Sequence, residues 1–108
     1  MYNNNNKMKV DIKRSTRDDK RMMAIFTDKD GSKTKTHFGY RDDKTGKKGS
    51  TYIDHKDETK KINYKKRHQV NEDFTKYKSA GSLSYHILWT EKNLDDAVRK
   101  YKKKFNLS

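Results

Sequence analysis

The stretch RMMAIFT, at residues 21–27, places five apolar side chains in succession. An apolar run of this length, bounded by polar turn residues, is typical of a strand at the centre of a sheet. Before it, residues 8–13 (MKVDIK) alternate apolar and polar side chains, which is the period of a half-buried strand. After it, the turn sequence DKDG at 28–31 leads into a second alternating segment at 33–38, which indicates a hairpin. The pattern therefore predicts three antiparallel strands between residues 8 and 38.

The middle of the chain predicts a loop followed by a helix. Residues 39–50 are rich in glycine and lysine and have no apolar period, so we interpret them as a loop. Residues 51–53 (TYI) are interpreted as a short extended segment. Asp54 or Asp57 can then cap the N-terminus of a helix that runs to about Gln69.

The remaining sequence predicts further helices. In the middle helix, Ile62 is expected to face inward, with Tyr64 or His68 nearby. Residues 82–90 (SLSYHILWT) are compatible with a helix or a buried strand, and we favour the helix. Asn93 can cap a final helix, in which acidic residues of the first turn and lysines of the last match the helix dipole. The apolar stripe of this helix consists of Leu94, Ala97, Val98, Tyr101 and Phe105. The predicted fold class is α+β, with a small N-terminal antiparallel sheet of about three strands followed by two or three helices.

The composition is close to that of a disordered chain. Only 29% of the residues are hydrophobic and 40% are charged, and Leu, Ile, Val and Phe together number 16 of 108. Seven Tyr, four Phe, one Trp and four Met supply large side chains that can still build a core. Because the final helix combines a cap, an apolar stripe and the favourable charge order, we interpret residues 8–108 as a single folded basic α+β domain. Residues 1–7 (MYNNNNK) are interpreted as a flexible Asn-rich tail.

The sequence also argues against several protein classes. It contains no apolar run near the roughly 18 to 20 residues of a membrane span. No secretory signal is visible at the N-terminus. The chain has no cysteine, which excludes disulfides and thiolate metal sites. We therefore predict no membrane association, no cofactor and no metal site.

The excess positive charge indicates a polyanionic partner. Lys and Arg number 28 against 15 Asp and Glu, for a formal net charge of +13. Residues 7–21, 29–48, 56–68 and 99–104 each have a net charge of +4 or +5. Such basic segments are typical of proteins that contact nucleic-acid phosphates, and the predominance of Lys over Arg favours binding without base recognition. The candidate contact residues are Lys13, Arg14, Arg17, Arg21, Lys44, Lys47, Lys48, Lys60, Lys61, Lys65, Lys66, Arg67, Arg99, Lys102, Lys103 and Lys104.

Three alternatives remain open at this point. Exposed tyrosines, with Tyr40 as the best candidate, could stack on the bases of a single strand. A cluster of His55, Asp54, Asp57 and His68 could hold a divalent metal and hydrolyse phosphodiesters, although it lacks the spacing of known metal motifs. The basic surface could instead serve an adaptor that binds acidic protein surfaces. A simple binding protein without catalytic residues is the interpretation that we favour.

Several short motifs follow one another along the chain after residue 36. These are HFG at 37–39, YIDHKD at 52–57, RH at 67–68, SAGSLS at 79–84 and LW at 88–89. In these motifs the chain resembles a family of small basic proteins encoded by giant DNA viruses of the mimivirus and phycodnavirus kind. The resemblance implies a role in condensing or packaging a viral genome, in the virion core and in the cytoplasmic viral factory. Together with the basic segments, it predicts double-stranded DNA as the partner, while the charge alone leaves RNA and a homodimer as further possibilities. The resemblance assigns no catalytic residue.

Overall fold

A three-stranded antiparallel sheet forms the N-terminal part of the computed structural model, which describes residues 7–108. The sheet consists of β1 (Lys9–Arg14), β2 (Lys20–Thr27) and β3 (Lys33–Tyr40), with β2 in the middle. The predicted sheet and its central strand are therefore confirmed. The predicted tail lies outside the described residues except for Lys7.

The helices follow the sheet in sequence, which confirms the α+β class. They are α1 (Tyr52–His55), α2 (Glu58–His68), α3 (Ala80–Leu83) and α4 (Leu94–Lys104), and α3 continues directly into a π-helical turn (Ser84–Leu88). Helical structure is thus confirmed for most of the ambiguous segment at 82–90. None of the helices within residues 7–108 has the length and apolar character needed to cross a membrane.

The short helix α1 corrects the prediction of an extended segment at 51–53. Thr51 and Asp54 form a reciprocal capping box, in which each side chain accepts a hydrogen bond from the backbone N–H of the other. This pair satisfies two donors that an isolated helical turn would leave free, so a helix of four residues can form. The carboxylate of Asp57 caps the next helix, α2, by accepting hydrogen bonds from the N–H groups of Thr59 (3.0 Å) and Lys60 (3.2 Å).

The core lies between one face of the sheet and the C-terminal helices. Phe26 and Phe38 of the sheet form one cluster with Leu83 of α3 and Ile87 of the π-helical turn, and Tyr101 of α4 completes it. All five side chains are at most 1% exposed. Aromatic rings thus provide much of the buried area that the scarce aliphatic residues cannot supply.

The C-terminal residues close the outer edge of β1. The N–H of Ser108 donates to the carbonyl of Met8 (3.0 Å), and the N–H of Val10 donates to the carbonyl of Ser108 (2.9 Å). Leu107 is buried in the core beside them. The last residues of α4 and the first strand therefore stabilise each other directly.

Ile62 does not face inward, so that prediction is wrong. Its side chain is 52% exposed, and α2 contains no buried residue. The inward side of α2 is occupied instead by Tyr64 and His68, which stack on each other with ring centroids 4.1 Å apart. Aromatic stacking has thus taken the place that an aliphatic contact was expected to fill.

Gly39 allows the end of β3 to approach its neighbours closely. It has a φ of +81°, and a Cβ atom at this position would lie 3.0 Å from Cβ of Arg21 and 3.1 Å from Cδ1 of Leu88. We expect Gly39→Ala to lower the free energy of unfolding by about 1–2 kcal/mol because it adds both backbone strain and a steric clash. Urea denaturation monitored by far-UV circular dichroism measures this change.

Gly31→Ala is the matched control for Gly39→Ala. Gly31 also has a positive φ, of +90°, but nothing lies within 4 Å of a Cβ atom there. The difference between their free energies of unfolding therefore isolates the contribution of close packing at Gly39. Equal destabilisation by the two substitutions would contradict that contribution.

Candidate nucleic-acid interface

Helix α2 is one of two helices in the described chain that carry five cations in eleven residues. Its eleven residues include five of the predicted contact residues, and the helix buries none of its side chains. The five are Lys60, Lys61, Lys65, Lys66 and Arg67. A polar helix of this kind depends on contacts along one narrow side, because it has no apolar stripe of its own.

An aromatic stack attaches that narrow side of α2 to the rest of the protein. The ring of Tyr64 lies between Trp89, with centroids 4.1 Å apart and planes 9° apart, and His68 on its other face. His55 meets the Trp89 ring in an edge-on arrangement at 5.3 Å. Burial raises the pKa of Tyr64 to about 12, consistent with a ring enclosed by its neighbours. The Tyr52 hydroxyl also donates to the carboxylate of Glu58, which joins α1 to α2.

The cations of α2 divide into two groups. Lys61 lies over the ring of Tyr52 at 4.7 Å, and Lys65 lies 6.0 Å from the ring of Tyr85, so both lean toward the body of the protein. Lys60, Lys66 and Arg67 are exposed and form no ion pair with any residue in the described range 7–108. The helical advance of about 100° per residue places these three on the flank of α2 opposite Lys61 and Lys65, which we call the outer side of α2. Lys60 and Arg67 lie next to Tyr64 on this flank, and Lys66 lies farther round the helix. This outer side of α2 is free to contact phosphates.

A groove runs between α2 and α4 and brings part of the two basic helices together. Tyr85, Thr90 and Glu91 lie along its base, where two adjoining cavities of about 490 and 650 Å³ meet. Tyr85 is held in place by stacking on Phe74, with centroids 4.2 Å apart. The lysines on its walls are Lys61 and Lys65 from α2, and Lys100, Lys103 and Lys104 from α4.

Two cations of α4 form ion pairs with acidic residues. Arg99 pairs with Asp96 at 2.5 Å, one turn earlier in the helix. Lys102 is half-buried, whereas Lys103 and Lys104 are exposed. Lys100 pairs with Glu91 at 2.9 Å. Free positive charge in α4 is therefore concentrated in its last turn.

The outer face of the sheet is also basic. Lys13 pairs with Asp11 at 3.2 Å, and Arg17, in the turn after β1, pairs with Asp19 at 2.9 Å. Three exposed lysines that were not among the predicted contacts share the face of Lys13, because alternate residues of a strand point the same way. These are Lys9, Lys33 and Lys35. The two-residue period of the strands, which is visible in the sequence, could have identified them.

The lysine-rich loop after β3 is ordered by its own hydrogen bonds. A β-bridge joins Arg41 to Lys48, and the carboxylate of Asp42 accepts hydrogen bonds from the N–H groups of Lys44 (2.8 Å) and Thr45 (3.3 Å). The predicted contacts Lys44, Lys47 and Lys48 are all exposed. Tyr40 at the start of the loop is 66% exposed, so its ring is accessible as the stacking prediction requires.

A cavity of about 370 Å³ lies where this loop meets the ends of the strands. Four cationic side chains line it, and we call it the sheet-end cleft. They are Arg14, Arg21, Arg41 and Lys48. Three of the four were predicted as contacts, whereas Arg41 was missed because its place in the cleft depends on the closure of the loop.

Arg21 serves the fold as well as the cleft. Its guanidinium donates to both carboxylate oxygens of Asp54, at 2.7 and 2.9 Å, and to the hydroxyl of Thr51 at 3.1 Å. Burial by itself would raise the pKa of Asp54, but the hydrogen bonds from Arg21 and Thr51 and the charge of Arg21 hold it far below its ordinary value. The ion pair therefore ties β2 to α1.

Most residues of the possible metal-binding cluster of His55, Asp54, Asp57 and His68 make contacts that stabilise the fold. Asp54 is bound to Arg21, Asp57 caps α2, and His68 stacks on Tyr64. Nδ1 of His55 accepts a hydrogen bond from the N–H of Asp57 (2.9 Å), while its buried Nε2 has no hydrogen-bond partner among the described residues. Within residues 7–108, no three His, Asp or Glu side chains are arranged to hold a metal ion.

Comparisons with known proteins do not extend this picture. No family model, no curated protein and no solved structure matches the chain.

Proposed function

We propose that this protein binds double-stranded DNA through the phosphate backbone, without sequence preference. The observation that carries the proposal is the outer side of α2, where Lys60, Lys66 and Arg67 are exposed and unpaired on a helix that contributes no buried residue. Each phosphate that a cation neutralises releases condensed counterions, and this release provides most of the affinity of such proteins. Lysine suits the task because its flexible ammonium follows phosphates without reading bases.

Basic surfaces on different parts of the fold support a role in condensing or packaging DNA. The outer side of α2, the last turn of α4 and the outer face of the sheet belong to separate elements. One molecule can therefore contact two duplex segments, and a homodimer would do the same. The viral part of the proposal, with action in the virion core and the viral factory, rests on the motif resemblance alone.

Binding to duplex DNA is expected to weaken steeply with salt. If six to ten phosphates are neutralised, the slope of log K against log[salt] should lie between about −5 and −9. Fluorescence anisotropy with duplex DNA, single-stranded DNA and duplex RNA across a salt series measures both the slope and the preferred nucleic acid. A slope near zero would contradict phosphate binding and favour an adaptor for acidic proteins.

A plasmid incubation separates binding from the nuclease alternative. With Mg²⁺ or Mn²⁺ present, we expect supercoiled plasmid to be retarded but to stay intact after the protein is removed. Metal-dependent nicking that His55→Ala abolishes would replace the binding proposal by a catalytic one.

A further inference from the structure

The sheet-end cleft carries more positive charge than its surroundings compensate. Of its four cations, Arg21 is paired with Asp54. Arg14 and Lys48 form no ion pair with any residue in the described range. The fourth cation, Arg41, is the most informative because it is both charged and largely buried.

Arg41 is held mainly by backbone carbonyls, and its one ion pair, with Asp18, is long. Its side chain is 11% exposed, and the guanidinium donates to the carbonyls of Asp18 (3.0 Å) and Arg17 (3.1 Å). The nearest carboxylate, that of Asp18, is 3.8 Å away and its side chain is 88% exposed. Buried charges in proteins are normally closely paired, so a largely buried cation whose carboxylate partner is exposed and 3.8 Å away favours an additional anionic ligand.

Two of the three guanidinium groups of the cleft are also fixed in advance. The carbonyls of the turn after β1 orient Arg41, and Asp54 with Thr51 orients Arg21. A planar guanidinium held in this way matches the oxygens of a phosphate at little entropic cost. The exposed side chains of Arg14 and Lys48 can then close on the same group.

We infer that the sheet-end cleft binds a phosphomonoester, the terminal phosphate of a nucleic-acid strand. A terminal phosphate carries nearly two negative charges and three free oxygens near neutral pH. An internal phosphodiester carries one charge and is flanked by sugars on both sides, so it fits a recessed cavity of about 370 Å³ less well. The inference rests on the proposed function, because nucleic acid supplies the phosphate.

The preference for a phosphorylated end tests the inference. We expect the protein to bind a short duplex with 5′-phosphates about tenfold more tightly than the same duplex with 5′-hydroxyl groups, the effect of one charge-assisted hydrogen bond. Arg41→Gln should bring the ratio to about one, and Lys48→Gln should reduce it without disturbing the buried contacts. Lys92→Gln is the matched control, since it removes one positive charge from an exposed residue outside the proposed contacts and should leave the ratio unchanged.

Two further measurements identify the source of the phosphate. They also separate the terminal-phosphate site from the proposed binding of duplex DNA. A 3′-phosphorylated duplex shows whether either strand end is accepted, and inorganic phosphate, titrated by NMR, probes the cleft without nucleic acid. Phosphate shifts at Arg41 in a protein that binds no duplex would overturn the proposed function but keep the cleft as a phosphate site. Equal affinity for both duplex ends, together with no phosphate shifts at Arg41, would overturn the inference.

Discussion

Replacing Lys60, Lys66 and Arg67 together by glutamine is expected to lower the affinity for duplex DNA on the order of 100-fold at about 0.15 M salt. Each lost phosphate contact removes about 0.9 from the salt exponent, so the slope of log K against log[salt] should become shallower by about 2.7. The three side chains are exposed and unpaired within the described chain, so their replacement should leave the fold intact. Fluorescence anisotropy across a salt series measures both quantities.

A matched triple variant controls for net charge. Lys29, Lys76 and Lys92 are exposed and lie outside the proposed contacts, and their replacement by glutamine removes the same three charges. We expect this control to lose far less affinity than the α2 variant. If both variants lose the same amount, binding depends on net charge alone and α2 is not the contact surface.

Asp54→Asn is expected to destabilise the fold by about 2–3 kcal/mol at neutral pH. The substitution removes the charge that pairs with Arg21, whose side chain is only 10% exposed, and breaking a fully buried pair costs about 3–5 kcal/mol. We expect a smaller loss than for a fully buried pair, because the side chain of Asp54 is 28% exposed and water partly screens its charge. Urea denaturation followed by the fluorescence of Trp89, the only tryptophan of the chain, measures the loss.

The same variant should also change the response to acid. Because the pKa of Asp54 is lowered by folding, its carboxylate stabilises the protein fully above the unfolded pKa, which is about 3.9, and this contribution is lost as the pH falls below that value. The stability of the wild type should therefore decrease more steeply below about pH 4 than that of Asp54→Asn. Asp43→Asn is the control, since Asp43 is exposed and its carboxylate makes no hydrogen bond to a described residue. Parallel pH profiles for all three proteins would contradict the role of Asp54.

Local patterns predicted those parts of the fold whose causes are local. The apolar run at 21–27, with alternating segments on either side, identified the central strand and its neighbours. Asn93, the apolar stripe behind it and the charge order identified α4, whose cap accepts a hydrogen bond from the N–H of Asp96 as expected. In each case the pattern that indicates the element lies within one short segment.

Contacts between distant residues explain where prediction failed. Ile62 was expected to face inward on its hydrophobicity, but Tyr64 occupies that side because Trp89, far along the chain, stacks on it. The cleft depends on Arg41, which reaches its place only after the loop is closed and the turn carbonyls are in position. Helix α1 is a different case, since the Thr51 and Asp54 spacing of its capping box was present in the sequence and was overlooked.

The pairing of Ser108 with β1 bears on the order in which the protein can fold. The two hairpins of the sheet involve near neighbours and can form early, but β1 gains its outer partner only when Ser108 meets Met8 and Val10. Closing contacts between residues so far apart in sequence carries a large entropic cost, which delays this step. Until then, the outer edge of β1 presents unpaired backbone N–H and C=O groups with which another chain could pair. Pairing with Ser108 is thus a late folding event that protects the edge of the sheet from such association.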